Sequence, residues 1–213
     1  MKFNSDSLKQ VEDRKINKLT KFEKENLKFI KVMFGTESKA GNGYKYKINE
    51  INETDNWHPE TNDAKGIGGF NFSVEEKILR WLVRGDTLYD VIVPEDTDVY
   101  DCESPSAPHG VFSSNKIIIS NPRIVTDEMA MDFYKKSNLP EKSYFKAMAG
   151  VAIRGHMKTA LKIFEDKVNK KNVNLAFDEF KDFLTPREKN NFSEEYIGKN
   201  TKVIYDMFLE YLK

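Results

Sequence analysis

GGFNFSVEEKILRWLVRGDTLYDVIVPEDTDVYD, residues 68–101, decides how the first half of this chain is read. Gly66, Gly68 and Gly69 ahead of Phe70 and Phe72 read as a glycine-hinged approach to a short strand. Ser73 followed three residues later by Glu76 matches a capping box, in which hydroxyl and carboxylate each satisfy a backbone N–H at a helix start. Ile78, Trp81 and Leu82 recur at helical spacing as a buried stripe, and Gly85 stands where such a helix would end. LYDVIVP (88–94) is a strand stopped by Pro94, and VYDC (99–102) is a shorter one.

Upstream, LKFIKVMF (27–34) sets Ile30, Val32 and Phe34 against Lys31 and Met33, the alternation of a half-buried strand. YKYKI (44–48) alternates again, and the two segments are expected to pair antiparallel. Residues 49–65 form a polar, acidic loop around NWHPE. Farther upstream, Leu8, Val11, Ile16 and Leu19 give the stretch Ser5–Glu25 a narrow apolar edge, expected to be helical. Downstream, ESPSAPHG (103–110) is a loop by its prolines and glycine, and KIIIS (116–120) is a β-branched run expected at the centre of a sheet.

Past Asn121-Pro122 the texture changes. Residues 127–136, 140–153, 156–169, 173–184 and 193–212 all carry apolar stripes at helical spacing, among them Phe177, Phe180 and Phe183. The expected fold class is therefore α+β: a mixed, mostly antiparallel sheet with one packed helix, followed by a helical half. The expected layout is an N-terminal helix over 1–26, a sheet module over 27–122 and a helical half over 123–213. No Gly/Ser-rich linker divides the last two, so one core is expected to serve both.

With 15 Phe, 9 Tyr and 2 Trp in 213 residues, the chain is too aromatic to be disordered. No apolar run approaches the roughly 18–20 residues that span a bilayer, and the first residues lack the apolar centre of a signal peptide. The expectation is a cytoplasmic protein with no membrane partner. A single cysteine, Cys102, allows no internal disulfide, and its neighbours Asp101 and Glu103 disfavour a reactive thiolate.

The zero net charge hides an asymmetry. Between Ile48 and Asn115 there are fourteen acidic residues and four basic ones, about −10, so the flanks carry about +10. Either the flanking bases fold back onto this acidic stretch, or its loops present an anionic face to a basic partner. The residues picked out for such a face are Glu50, Glu53, Asp55, Glu95, Asp96, Asp98, Asp101 and Glu103.

Other chemistry is thin. GIGGF lacks the strand–glycine–helix order and the following lysine of a phosphate cradle. His58, His109 and His156 stand at no zinc-ligand spacing, and EDTDVYD (95–101) lacks the glycine and final glutamate of a calcium loop. Ser104, Ser106, Ser113 and Ser114 fit no nucleophile elbow. Basic runs such as KVNKK (167–171) belong to exposed helix faces, and the acidic middle opposes a phosphate-binding surface. No catalytic residue, metal or cofactor is expected, nor direct contact with nucleic acid.

The stretch 68–101, with GYKYK (43–47) before it and VFSSNKIIIS (111–120) after it, resembles a module found ahead of ankyrin repeats in large-DNA-virus proteins and in related phage and bacterial reading frames of unknown role. The resemblance covers residues 27–120 and implies a fold and a viral or mobile-element setting, not an activity. The helical half shows no ankyrin signature. A weaker resemblance is to ADP-ribosyltransferase-like domains, which also place a glycine-aromatic strand before a helix and a strand like YDVIVP. Those need a first-strand Arg or His and a late Glu. This chain has Tyr44 or Lys45 and Ser113 to Lys116 at the matching places.

The expected function is accordingly a non-enzymatic module binding a basic protein through its acidic face. In a viral setting that partner would be a host nucleic-acid-handling defence enzyme. The alternative is an ADP-ribosyltransferase-like enzyme, or another NAD- or nucleotide-binding enzyme, with its site near Tyr44, Gly68, Phe70 and His109.

Overall fold

One stretch, Phe112 to Ile124, supplies two strands that lie far apart in the sheet order. The computed structural model describes residues 15–37, 43–61, 66–103, 110–186 and 188–213. The chain begins with β1 (Lys15–Lys18), α1 (Lys21–Asn26), β2 (Phe29–Met33), β3 (Ile51–Glu53) and β4 (Phe70–Val74). A 3-10 helix (Ile78–Arg84) leads to β5 (Thr87–Ile92), β6 (Tyr100–Glu103), β7 (Phe112–Ser114) and β8 (Lys116–Ile124). The rest is helical: α2 (Asp127–Lys136), α3 (Glu141–Ile153), α4 (Met157–Lys167), α5 (Val173–Leu184), a 3-10 turn (Glu194–Tyr196) and α6 (Lys199–Tyr211).

The eight strands order as β1-β6-β7-β4-β2-β5-β8-β3, and every strand pair is antiparallel. An isolated bridge, Ile48 with Ile119, is parallel. Only Asn115 separates β7 from β8, yet β7 pairs with β4 and β8 with β5. The ladder β7-β4-β2-β5-β8 therefore returns to its own starting strand, and the sheet is curled. Inside the curl Phe29 packs on Phe72 at 4.9 Å and on Phe112 at 5.3 Å between ring centroids. Val91, Ile117 and Ile119 are buried in the same cluster.

The other face carries the helices. Ile30, Val32 and Leu88 of the sheet and Ile78, Leu79 and Leu82 of the 3-10 helix are buried in one cluster with Phe145, Met148, Ile163, Phe180 and Phe208 of the helical half. Each central strand thus feeds two cores by alternation, which is why both faces of β2 are apolar. The five predicted helices all form, with 193–212 realised as the short turn and α6.

Five expectations change. Ser73 does not open a helix. It is the partner of Ile30 in the β2–β4 ladder, so β4 runs on through Val74, and the helix starts only after Lys77, which makes no side-chain cap. Glu75 beside it reaches Lys136 at 2.7 Å instead. Trp81 is half-buried, with the Arg80 guanidinium carbon 5.1 Å from its ring, while Leu79 and Leu82 fill the core.

Gly85 ends the 3-10 helix in extended rather than left-handed backbone. The reason for glycine is proximity, since a Cβ there would lie 2.1 Å from the Met33 carbonyl carbon.

The N-terminal segment is not one helix. Within its described part, Lys15–Lys18 is a strand, and α1 begins at a capping box between Thr20 and Glu23. The strand forms because a basic edge meets an acidic one: Lys15 lies opposite Glu103, Asn17 opposite Asp101, and Lys18 reaches Asp98 at 2.7 Å. Residues 5–14 of that expected helix lie outside the described residues.

Residues 44–48 contribute bridges at Lys45 and Ile48 and do not pair with β2, whose two edges are occupied by β4 and β5.

Candidate partner-binding face

Cross-strand register builds the most conspicuous surface feature. Ile92 of β5 stands opposite Ile118 of β8, which stands opposite Ile51 of the edge strand β3. Directly opposed residues share a face, so the isoleucines form a row across three strands. Ile51 and Ile92 are each 55% exposed, and Ile118 is half-buried. The same face is covered where Val32 and Leu88 meet the helices, and open at this end.

The row is held from behind. Ile117 and Ile119 are fully buried on the opposite face. The buried Asn52 side chain accepts from Lys47 N at 2.8 Å and donates to the carbonyls of Lys47 and Glu50, tying the turn before β3. A bulge after Ser120, with Asn121 at φ 51°, directs Asn121 and Arg123 onto the Asp90 carboxylate. Burial raises the Asp90 pKa, but these hydrogen bonds outweigh it and leave the group below its usual range.

Around the row lie several of the carboxylates picked out from sequence. Glu53 pairs with Lys116 at 3.0 Å, and Asp96 also acts on Lys116, so all three sit together beside Ile118. Glu95 is held by Lys21 at 2.6 Å, which keeps its carboxyl below the ordinary range. Asp98 pairs with Lys18, and Glu50 lies 3.8 Å from Lys47. Lys24 donates to the carbonyls of Pro94, Glu95 and Thr97, strapping the β5–β6 turn to α1. Asp55 and Asp96 are exposed and make no ion pair among the described residues. Asp101 is half-buried in β6, and nothing is described of the Glu103 side chain. Bases from both flanks therefore fold back onto the acidic stretch. What remains is a mixed rim with an acidic surplus, not a uniform anionic sheet.

The residues of the nucleotide-site alternative are engaged in packing. Tyr44, Tyr46 and Phe70 form a ring cluster with centroids 5.0–5.4 Å apart. Gly68 and Gly69 both adopt φ +64°, and a Cβ on Gly68 would lie 2.1 Å from the Asn56 carbonyl oxygen. That close approach seats the NWHPE loop, whose Trp57 indole donates to Ser113 Oγ at 3.0 Å. His109 lies outside the described residues. His58 is exposed, and His156 is buried ahead of α4, where burial lowers its pKa. Cys102 is buried in β6. Among the described residues no cluster of His, Cys, Asp and Glu could hold a metal ion, and no helix is long and apolar enough to cross a membrane.

Sequence reasoning found the rim but not the row. Ile51 sat in a stretch read as loop, Ile92 in a run read simply as a strand, and Ile118 in a run expected at the centre of the sheet. Comparison with protein-family models, with curated proteins and with solved structures gave no match.

Proposed function

We propose that this chain is a non-enzymatic protein-binding module whose docking surface is the Ile51–Ile118–Ile92 row with its carboxylate rim. The observation that carries the reading is the row itself: two isoleucines more than half exposed, aligned across three strands on an otherwise covered sheet face. Apolar surface of that kind, bounded by charge, marks interaction sites. The rim gives the partner its chemistry. Glu50, Glu53 and Glu95 are paired with lysines, and Asp55 and Asp96, without an ion pair among the described residues, supply the acidic surplus, so the complementary surface is basic with an apolar ridge. The groove of a nucleic-acid-handling enzyme is one such surface, and the resemblance to a viral module favours it.

The test is a capture experiment from lysate of the host cell, with three baits compared by quantitative mass spectrometry. They are the wild-type chain, Ile51→Glu/Ile92→Glu, and a control with Val203→Glu/Leu209→Glu on the exposed side of α6. The reading expects a basic protein held by the wild type and the control and lost from the row variant. Equal capture by all three baits overturns it.

A further inference from the structure

β2 and β4 part company after two pairs, Phe29 with Val74 and Ile30 with Ser73. Beyond them β4 turns to β7, where Phe70, Asn71 and Phe72 meet Ser114, Ser113 and Phe112. Lys31, Val32 and Met33 stay with β5. A cavity of about 200 Å³ opens in the fork, with Ile78 and Trp81 of the 3-10 helix on its wall and the exposed Arg84 and Glu37 at its margin.

The fork is electrostatically one-sided. The Lys31 ammonium donates to the Asn71 carbonyl and lies 5.2 Å from the Tyr46 ring centroid, and it meets no carboxylate among the described residues. Lys31 is half-buried, and desolvation pushes its pKa down to about 8. Arg84 also makes no ion pair among the described residues, and Glu37 is occupied by Lys45 at 3.4 Å. Ser73 also lines the cavity. It is 2% exposed, and its Oγ has no hydrogen-bond partner among the described residues. A buried hydroxyl without a partner is unfavourable, and a half-buried cation without an anion on the wall of the same cavity leaves a second polar group to be satisfied. One ligand would satisfy both at once.

We infer that this fork binds a small organic carboxylate, its anionic group held by the Lys31 ammonium and the Ser73 hydroxyl with Arg84 at the margin, and its apolar body against Phe72, Ile78 and Trp81. The volume equals that of about seven waters at roughly 30 Å³ each, below the range of about 300–1,000 Å³ usual for larger ligands. It suits a single ring or a short chain. The apolar walls decide against a bare inorganic anion, which would leave them uncovered. The site shares no residue with the isoleucine row and stands or falls separately from it.

The test is a chemical-shift titration of the full ¹⁵N-labelled chain with benzoate, hexanoate, benzamide and inorganic phosphate. Benzoate or hexanoate is expected to give saturable shifts at the Asn71 and Ser73 amides and the Trp81 indole N–H, with benzamide and phosphate at least tenfold weaker. Lys31→Met is expected to weaken carboxylate binding at least tenfold and Lys31→Arg to restore part of it. Wild-type affinity is expected to fall as pH rises through about 8. Should Lys31→Met misfold, Ser73→Ala and Arg84→Gln serve instead, each expected to weaken binding severalfold. No saturable shift from either carboxylate, equal shifts from phosphate, or undiminished binding by the variants overturns the inference.

Discussion

Ile51 and Ile118 stand directly opposite each other across the β3–β8 ladder, one on an edge strand and one on a central strand, on the solvent side of the sheet. Ile117 and Ile119, one residue to either side in β8, are fully buried on the reverse. This parity gives a sharp expectation for stability. Ile51→Thr and Ile92→Thr should leave the folding free energy within about 0.5 kcal/mol of wild type, as surface substitutions do. Ile117→Ala should cost about 2–5 kcal/mol through lost burial and a cavity. Urea denaturation of the three variants checks it, and a large loss in Ile51→Thr would mean that the row is not open to solvent.

The β4-to-helix turn reverses the expectation drawn from the capping box. Ser73 caps nothing, and its hydroxyl is buried without a partner among the described residues. Ser73→Ala should therefore be neutral or stabilising, by up to about 1 kcal/mol, because it removes an unsatisfied group. Leu82→Ala, at a fully buried position, should cost about 2–5 kcal/mol. Gly85→Ala should destabilise by about 1–3 kcal/mol or more, since its methyl would collide with the Met33 backbone. Thermal melts distinguish the three, and destabilisation by Ser73→Ala would restore the cap.

Where the sequence was legible, the reason was a period long enough to outvote local accidents. The helical half carried its stripes over five segments, and each became a helix. The β-branched runs at 88–94 and 116–120 became β5 and β8. The failures were contests that only tertiary partners decide. Ser73-x-x-Glu76 is a sound local cap, yet β2 claims Ser73 for the sheet. Ile16 and Leu19 suit a helix edge, yet Asp98 and Asp101 across the sheet draw the lysine-rich segment into a strand. The rim was visible as a count of carboxylates, but its partners come from as far away as Lys18 and Lys21, so the neutralisation could not be read from spacing. The isoleucine row depends on register between three strands, and no single segment encodes register.

Asp127 of α2 caps a different helix, α4. Its carboxylate accepts from the backbone of Lys158 at 2.8 Å, the backbone of Thr159 at 3.0 Å and the Thr159 hydroxyl at 2.7 Å. Burial raises its pKa, but these bonds outweigh burial and hold it below the ordinary aspartate value. A depressed carboxylate contributes stability that is full above its unfolded pKa and lost as pH falls through the folded one. Asp127→Ala should cost about 0.5–2 kcal/mol at pH 7. The gap to wild type should close as pH drops below about 4, the unfolded aspartate value. A gap that stays constant down to pH 2 would exclude the ionised cap.

Lys31 has the opposite sign. Its folded pKa of about 8 lies below the ordinary lysine value of 10.5, so the unfolded chain binds more protons between them and stability rises with pH across that window. Lys31→Met should be more stable than wild type at pH 7, with the difference shrinking as pH rises from about 8 toward 10.5. Denaturation at pH 7 and pH 10 checks this, and a difference independent of pH would show that the ammonium is solvated.

The central claim is that the isoleucine row and its rim dock a basic protein, and the dissociation constant of the captured partner tests it most directly. Ile51→Glu/Ile92→Glu should weaken binding on the order of 100-fold, the scale of an interface hot spot. Asp55→Asn/Asp96→Asn should act mainly by slowing association, and wild-type binding should weaken as salt rises and the Debye length falls to about 8 Å near 0.15 M. Wild-type affinity in the isoleucine variant, with no dependence on salt, would contradict the account.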